Sequence, residues 1–347
     1  MYKRQRPISL STNYLTRKDD YRTIQSMNRI ADPYRLPIGS TLVIPERLLK
    51  SEPVFGEVSS FRGQVNVDNQ PAKLKMQIRQ GMQIETGSNA FVTVQFPDGS
   101  AISLPSQSRV RVDRLRRILL TDSLDRNFRL QAGRSRSSVT PMSNPDSNFR
   151  VTTPLSVSAV RGTDFRVGFD EGAGKAMTEV VGGTVGVAPD EEKNELGVPR
   201  GYGVIGTPEG IQPPVKLLQP PELTSLARGG TDAVVVSFKP VEGAKAYRVQ
   251  LAGDLPFRDV LAESLTEELS VSFPGLGSTP FFVRLTAIAT SGLEGVPGTY
   301  ASGRRIDAPE GHSARDEEVP AIPPLQTSMR ADGRTSPATI GTDPALR

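Results

Sequence analysis

The chain has 347 residues, 36% apolar and only 6% aromatic, with 32 Gly, 29 Pro and a formal net charge of +4. That length allows two or three domains at roughly 100–200 residues each, with small cores and many turns. It has no Cys and a single His, His312, which excludes disulfides, thiol catalysis and Cys-ligated zinc.

The N-terminus starts with basic residues but has no apolar run of signal-peptide length, and no stretch approaches a membrane-spanning helix. Over 8–48, Leu15, Ile24, Met27 and Ile30 fall near helical spacing. Asp32-Pro33 breaks the pattern, and 41–45 reads as a short strand, giving the order helix, helix, strand.

From Val54 to about Val187 the period changes to two. Val65/Val67, Val92/Val94/Phe96, Val110/Val112, Phe128/Leu130, Phe149/Val151, Phe165/Val167 and Val185/Val187 alternate with polar residues. Pro97-Asp98-Gly99-Ser100 reads as a hairpin turn. Many short strands at this spacing indicate an all-β sandwich, barrel or solenoid-like stack. Residues 189–218 are rich in Gly, Pro and charge and read as a linker, with room for a strand at 203–205. A second β unit follows over 219–308, with strands expected at 233–238, 246–251, 269–273 and 281–289, which suits a small β-sandwich. Residues 309–347 are polar and Pro-rich and are expected to be disordered.

The residues that could carry chemistry are few. His312 sits in the expected disordered tail, where nothing orients it for a triad. Asp98, Asp164 and Asp170 are the carboxylates available for glycosidase-type pairing. Asp98 occupies a turn position that favours Asp, and Asp164 has a salt bridge to a nearby Arg or an exposed edge as its alternatives. Gly172, Gly174, Gly182 and Gly183 precede strands rather than helices, so they read as turns and not as a phosphate loop. The expected assignment is therefore no catalytic residue, no metal site and no cofactor. The stretch 109–136 carries nine Arg against three Asp. It reads as a solvated outer strand face, or alternatively as an electrostatic site for an anionic wall polymer or acidic partner. Nucleic acid is disfavoured, because only Phe128 is available there for stacking.

Three stretches resemble known families. Asn28-Arg29-Ile30-Ala31-Asp32-Pro33, followed by Leu36-Pro37-Ile38-Gly39-Ser40-Thr41-Leu42-Val43-Ile44-Pro45, resembles the second half of a LysM module. The family's usual opening strand is absent. The resemblance implies a βααβ fold over 1–48, N-terminally incomplete with the true start upstream, that binds peptidoglycan or another N-acetylglucosamine-containing glycan. It places Asn28, Ile30, Asp32, Pro33, Tyr34 and Leu36 at the sugar, with Tyr34 stacking on a ring or serving as a core neighbour.

Gly63-Gln64-Val65, Gly81–Gly87, Phe96–Ile102, Gln131-Ala132-Gly133 and Ala159–Phe165 look like a FecR domain over 52–188. That resemblance implies a periplasmic, protein-binding β domain, which in iron-uptake systems belongs to a transmembrane regulator. The stretches 238–251 and 283–295 resemble a fibronectin type III-like sandwich, with Phe238 where the usual core Trp stands. The resulting expectation is a mainly β, non-enzymatic periplasmic or envelope-associated scaffold, tethered to peptidoglycan, with an envelope protein as partner and no integral membrane segment. The alternative is a FecR-type signalling regulator that senses an outer-membrane partner.

Overall fold

A computed structural model describes residues 7–32, 40–190, 195–228, 233–276, 280–301, 304–305 and 337–338. The chain is mainly β, with a short helical N-terminal segment. No helix among the described residues is long and apolar enough to cross a membrane.

Helices Pro7–Tyr14 and Tyr21–Met27 precede the short strand Leu42–Val43, in the order expected from the sequence. Leu15, Ile24, Ile44 and Leu49 form a small core that is closed from outside by Ile118 of the following β body. So few apolar side chains make a marginal core alone, and docking on the sheet supplies the missing wall.

The main body, from Ser51 to Lys216, contains two sheets that share one long strand, Ser123–Ser138. Its first half pairs with Arg109–Ile118 and, in parallel, with Asn148–Thr153. Its second half pairs with Asp164–Asp170 and Ala101–Leu104. Beyond these the first sheet continues through Ser156–Val160, Thr184–Ala188 and Leu196–Pro199, and the second through Lys175–Gly182 and Tyr202–Thr207. Between the sheets lies one core of inward-facing residues, among them Val58, Ile78, Val94, Leu104, Val112, Leu130, Val151, Val167, Val180 and Val187. At its centre Phe96, Phe128, Phe149 and Phe165 pack ring to ring, with centroids 5.0–6.4 Å apart.

The chain changes sheets where glycine permits it. Gly133 lies between the two halves of the long strand with φ +75°, and a Cβ there would sit 2.4 Å from the Gln107 carbonyl oxygen. Gly162 joins Ser156–Val160 of one sheet to Asp164–Asp170 of the other with φ +135°, where a Cβ would meet Pro141 at 2.6 Å. Both glycines belong to motifs of the FecR resemblance, which gives those motifs a backbone explanation. Gly133→Ala is expected to cost about 2 kcal/mol or more, because strain and a clash with main chain add. Urea denaturation would measure this, and a loss below about 0.5 kcal/mol would show that the corner can relax.

The expected linker at 189–218 is corrected by the structure. Leu196–Pro199, Tyr202–Thr207, Gly210–Ile211 and Val215–Lys216 are strands of the main body. Val198 and Val204 are buried in its core, and the Gly and Pro residues of this stretch mark tight turns between short strands rather than a spacer.

A second body is a two-sheet sandwich. Leu223–Arg228, Val234–Phe238 and Ser270–Phe273 form one sheet. Val260–Thr266, Ala244–Ala252, Phe282–Ala289, Gly298–Ala301 and Arg304–Arg305 form the other. Val236, Phe238, Tyr247, Val249, Leu251, Val283 and Leu285 fill the space between them. The Phe238 and Tyr247 rings lie 4.9 Å apart within this core. Of the tail expected to be disordered, 309–347, only Pro337–Ala338 are described, as a two-residue strand beside Leu42–Val43. His312 lies outside the described residues.

Candidate functional site

The concentration of buried charge lies where the two β bodies meet. From the main body, Arg134 comes from the long strand, Arg166 from Asp164–Asp170 and Glu179 from Lys175–Gly182. From the sandwich come Arg248 of Ala244–Ala252, Glu263 of Val260–Thr266, Thr286 of Phe282–Ala289 and Glu294 of the loop that follows. Arg166 and Arg248 each sit between apolar neighbours that point into their own core. The period of two therefore turns the charged side chain outward, toward the other body.

Glu294 is the hub. Its Oε1 accepts from Arg166 at 3.1 Å and from the Thr286 hydroxyl at 2.8 Å, and its Oε2 accepts from Arg248 at 3.1 Å. Arg134 lies 3.5 Å from the same carboxylate and is also bonded to Glu179. Arg166 donates further to the main-chain oxygens of Glu294 and Gly295, both at 2.6 Å. The Glu294 main-chain N–H donates to Glu179 at 3.0 Å. Arg248 reaches Glu263 at 2.7 Å, and Gln250 donates to that carboxylate's other oxygen at 2.6 Å.

Burial alone would push the Glu294 carboxyl up, but Arg166, Arg248, Arg134 and the Thr286 hydroxyl hold it well below the usual carboxylate range. Burial likewise works against the Arg248 charge, and Glu294 and Glu263 more than offset it, raising its pKa. A glycosidase pair needs one carboxylic acid that keeps its proton near neutral pH. Glu294 is held the other way, and its bonds tie the two bodies together. Two mixed apolar clusters complete the joint. Phe91 packs with Ala252, Phe257 and Val260, and Met177, Ile205 and Leu217 pack with Leu293. Thr93 also donates to the Arg258 carbonyl oxygen at 2.8 Å, and Ser60 to Asp259 at 2.9 Å.

The residues singled out in the sequence are scattered over the molecule. Asp98 accepts from Ser100 within its turn and, at 2.5 Å, from the buried Arg126. Asp164 forms a two-pronged pair with Arg136, at 2.6 and 3.2 Å. Asp170 caps its own turn by accepting from Ala173. All nine arginines of 109–136 have a carboxylate partner, including Arg109 with Glu85, Arg129 with Asp113 and Arg117 with Asp122. The exposed pairs are each worth about 0–1 kcal/mol. They offset most of the positive charge on the strand face that the sequence left open as an electrostatic site.

In the N-terminal segment the Asn28 side chain is committed to structure. It donates to the carbonyl oxygens of Ile24 and Val43 and accepts from Val43 N–H at 2.7 Å. Ile30 is half-buried and Asp32 is exposed, while Pro33, Tyr34 and Leu36 lie outside the described residues. Among the described residues no group of three or more His, Cys, Asp or Glu could hold a metal.

This segment has its own ionic contact. Arg116 bridges Glu46, at 2.5 Å, and Asp125, at 2.8 Å. Burial and the Asp125 charge push the Glu46 carboxyl up despite Arg116. A carboxyl whose pKa is raised on folding loses stabilisation as pH rises through the folded value. At pH 7 Glu46→Gln is therefore expected to be neutral or stabilising, within about 1 kcal/mol. A clear loss of stability in chemical denaturation would contradict this.

Residues 82–186 match the family model described as FecR protein. Over this stretch the chain is similar to the FecR family. The stretch spans the hairpin at Asp98, the long strand and the Gly162 corner, and it contains Arg134, Arg166 and Glu179 of the joint. No curated protein matches the chain. Among solved structures, two of a candidate anti-sigma factor from Parabacteroides distasonis ATCC 8503 are similar, with TM-scores of 0.32 and 0.31 and 19% identity. Each match covers 39% of this chain and 59% of that protein's length.

Proposed function

We propose that this chain is a non-enzymatic regulator of FecR type, which senses a protein partner in the cell envelope and passes that state on as a signal. The observation that carries this reading is the FecR match over 82–186. The joint supports it physically. A buried ionic hub holds the sandwich against the FecR domain, so a partner that grips either body moves both. The FecR match also favours regulation over tethering to peptidoglycan through Asn28, Ile30, Asp32, Pro33, Tyr34 and Leu36, for which no comparison speaks.

Transcript sequencing of cells that lack the chain, and of cells to which it has been returned, tests the proposal. A discrete set of genes should change and then recover. If no transcript moves, while the protein sediments with insoluble peptidoglycan, the regulator reading fails and tethering replaces it.

A further inference from the structure

The two bodies enclose a small cleft, about 40 Å³ and open to solvent, with room for a few atoms. Arg134, Arg136, Arg166, Arg248 and Arg284 line it together with Glu263 and Glu294. Most of this charge is matched. Glu179, Glu263 and Glu294 serve Arg134, Arg166 and Arg248, and Asp164 serves Arg136. Arg284 is left over.

Arg284 is only 7% exposed, and no described carboxylate pairs with it. Its Nε is buried without an acceptor. Its guanidinium carbon lies 3.7 Å from the ring centroid of Phe257, itself buried. The ring face attracts the cation but cannot accept the in-plane N–H bonds. Ser135 of the main body also lines the cleft, is 2% exposed, and has a hydroxyl with no partner. A buried guanidinium without an anion is costly, and so is a buried hydroxyl without a bond. Both belong to the walls of one cleft; the guanidinium asks for an anion and the hydroxyl for an acceptor.

We propose that this cleft binds a carboxylate group, with Arg284 as its charge partner and Ser135 as a second donor. A planar carboxylate matches the edge of a guanidinium whose face is already covered. One negative charge balances the one unmatched arginine, whereas a phosphate dianion would add charge beside Glu263 and Glu294. The group could come from a free small acid or from the end of a peptide chain. Either ligand would meet both bodies at once and bind only their docked form, stabilising it by mass action. The proposal stands apart from the regulator reading and does not depend on it.

The test is thermal unfolding of the full chain at low ionic strength. The additives are sodium acetate, triglycine acetylated at its N-terminus, the same peptide with an amidated C-terminus, and sodium chloride at matched ionic strength. We expect a saturable rise in Tm with a carboxylate that chloride and the amidated peptide do not reproduce. A response to acetate assigns a free acid, and a response to the free-ended peptide alone assigns a chain end. Arg284→Gln should abolish the response, and Arg284→Lys should retain a weaker one. Absence of any carboxylate response beyond chloride overturns the proposal, as does an undiminished response in Arg284→Gln. If Arg284→Gln does not fold, Ser135→Ala takes its place and should weaken the response, an unchanged response again overturning the proposal.

Discussion

Replacing Glu294 by alanine is expected to cost about 3–5 kcal/mol, the range for removing one partner of a buried ionic cluster. Arg166, Arg248 and Arg134 all lie within 3.5 Å of this carboxylate and would be left as buried cations with reduced pairing. Glu179 and Glu263 would remain, but each already serves its own arginine. The loss should appear at the joint before it appears in either core, because both cores are formed by other residues. A melt with one transition in the native chain should therefore split into two, and protease should cut near Leu217 more readily.

Glu294→Gln keeps a hydrogen-bonding side chain and isolates the charge. The folded carboxyl lies below its unfolded value, so its stabilisation is complete above the ordinary carboxylate pKa of about 4.3 and is lost as pH falls below it. The stability difference between native chain and Glu294→Gln should be flat from roughly pH 5 to 8 and shrink below about pH 4. A single transition in Glu294→Ala, with a loss under about 1 kcal/mol, would remove the hub from this account.

Much of the fold was legible in the sequence. Alternation at Val92/Val94, Phe128/Leu130 and Phe165/Val167 marked strands whose inward residues are now in one core. The turn at Asp98 and the helix–helix–strand order of the N-terminal segment also stood in the sequence. Four strands of the sandwich did not. Leu223–Arg228, Val260–Thr266, Gly298–Ala301 and Arg304–Arg305 lie toward the edges of its two sheets, and Val260–Thr266 buries only its first residue, so no sustained alternation marks it.

The joint was not legible, and the reason is geometric. Arg166 between Phe165 and Val167, Glu179 beside Val180, Arg248 between Tyr247 and Val249, and Arg284 between Val283 and Leu285 all read as outward-facing residues on ordinary strands. Outward is correct for each sheet taken alone. What no periodicity encodes is that one outer face meets another, which converts solvated charges into a buried cluster. The only available signal was the complementarity of charged residues on two separate units, and one sequence cannot say which faces meet.

The main body itself should be most sensitive at Phe149. This ring is fully buried and touches Phe96, Phe128 and Phe165, with centroids at 6.4, 5.0 and 6.4 Å, two of the contacts near edge-to-face. The Arg126 guanidinium lies over it at 5.3 Å, held there by Asp98 of the hairpin turn. Phe149 thus ties the first sheet to Phe165 of the second and to the turn that the sequence singled out. Phe149→Ala removes a whole ring from a close-packed site and is expected to cost about 3–5 kcal/mol. Phe149→Leu keeps most of the volume and should cost far less, about 1–1.5 kcal/mol. Urea denaturation with an unchanged m-value would assign the loss to the folded state. The joint supplies the control that separates the two predictions. Phe149→Ala should lower the stability of the main body and leave the sandwich transition in place, whereas Glu294→Ala should uncouple the bodies. If both variants gave the same single shifted transition, the two-body description would be wrong, and the Phe cluster and the ionic hub would belong to one cooperative unit.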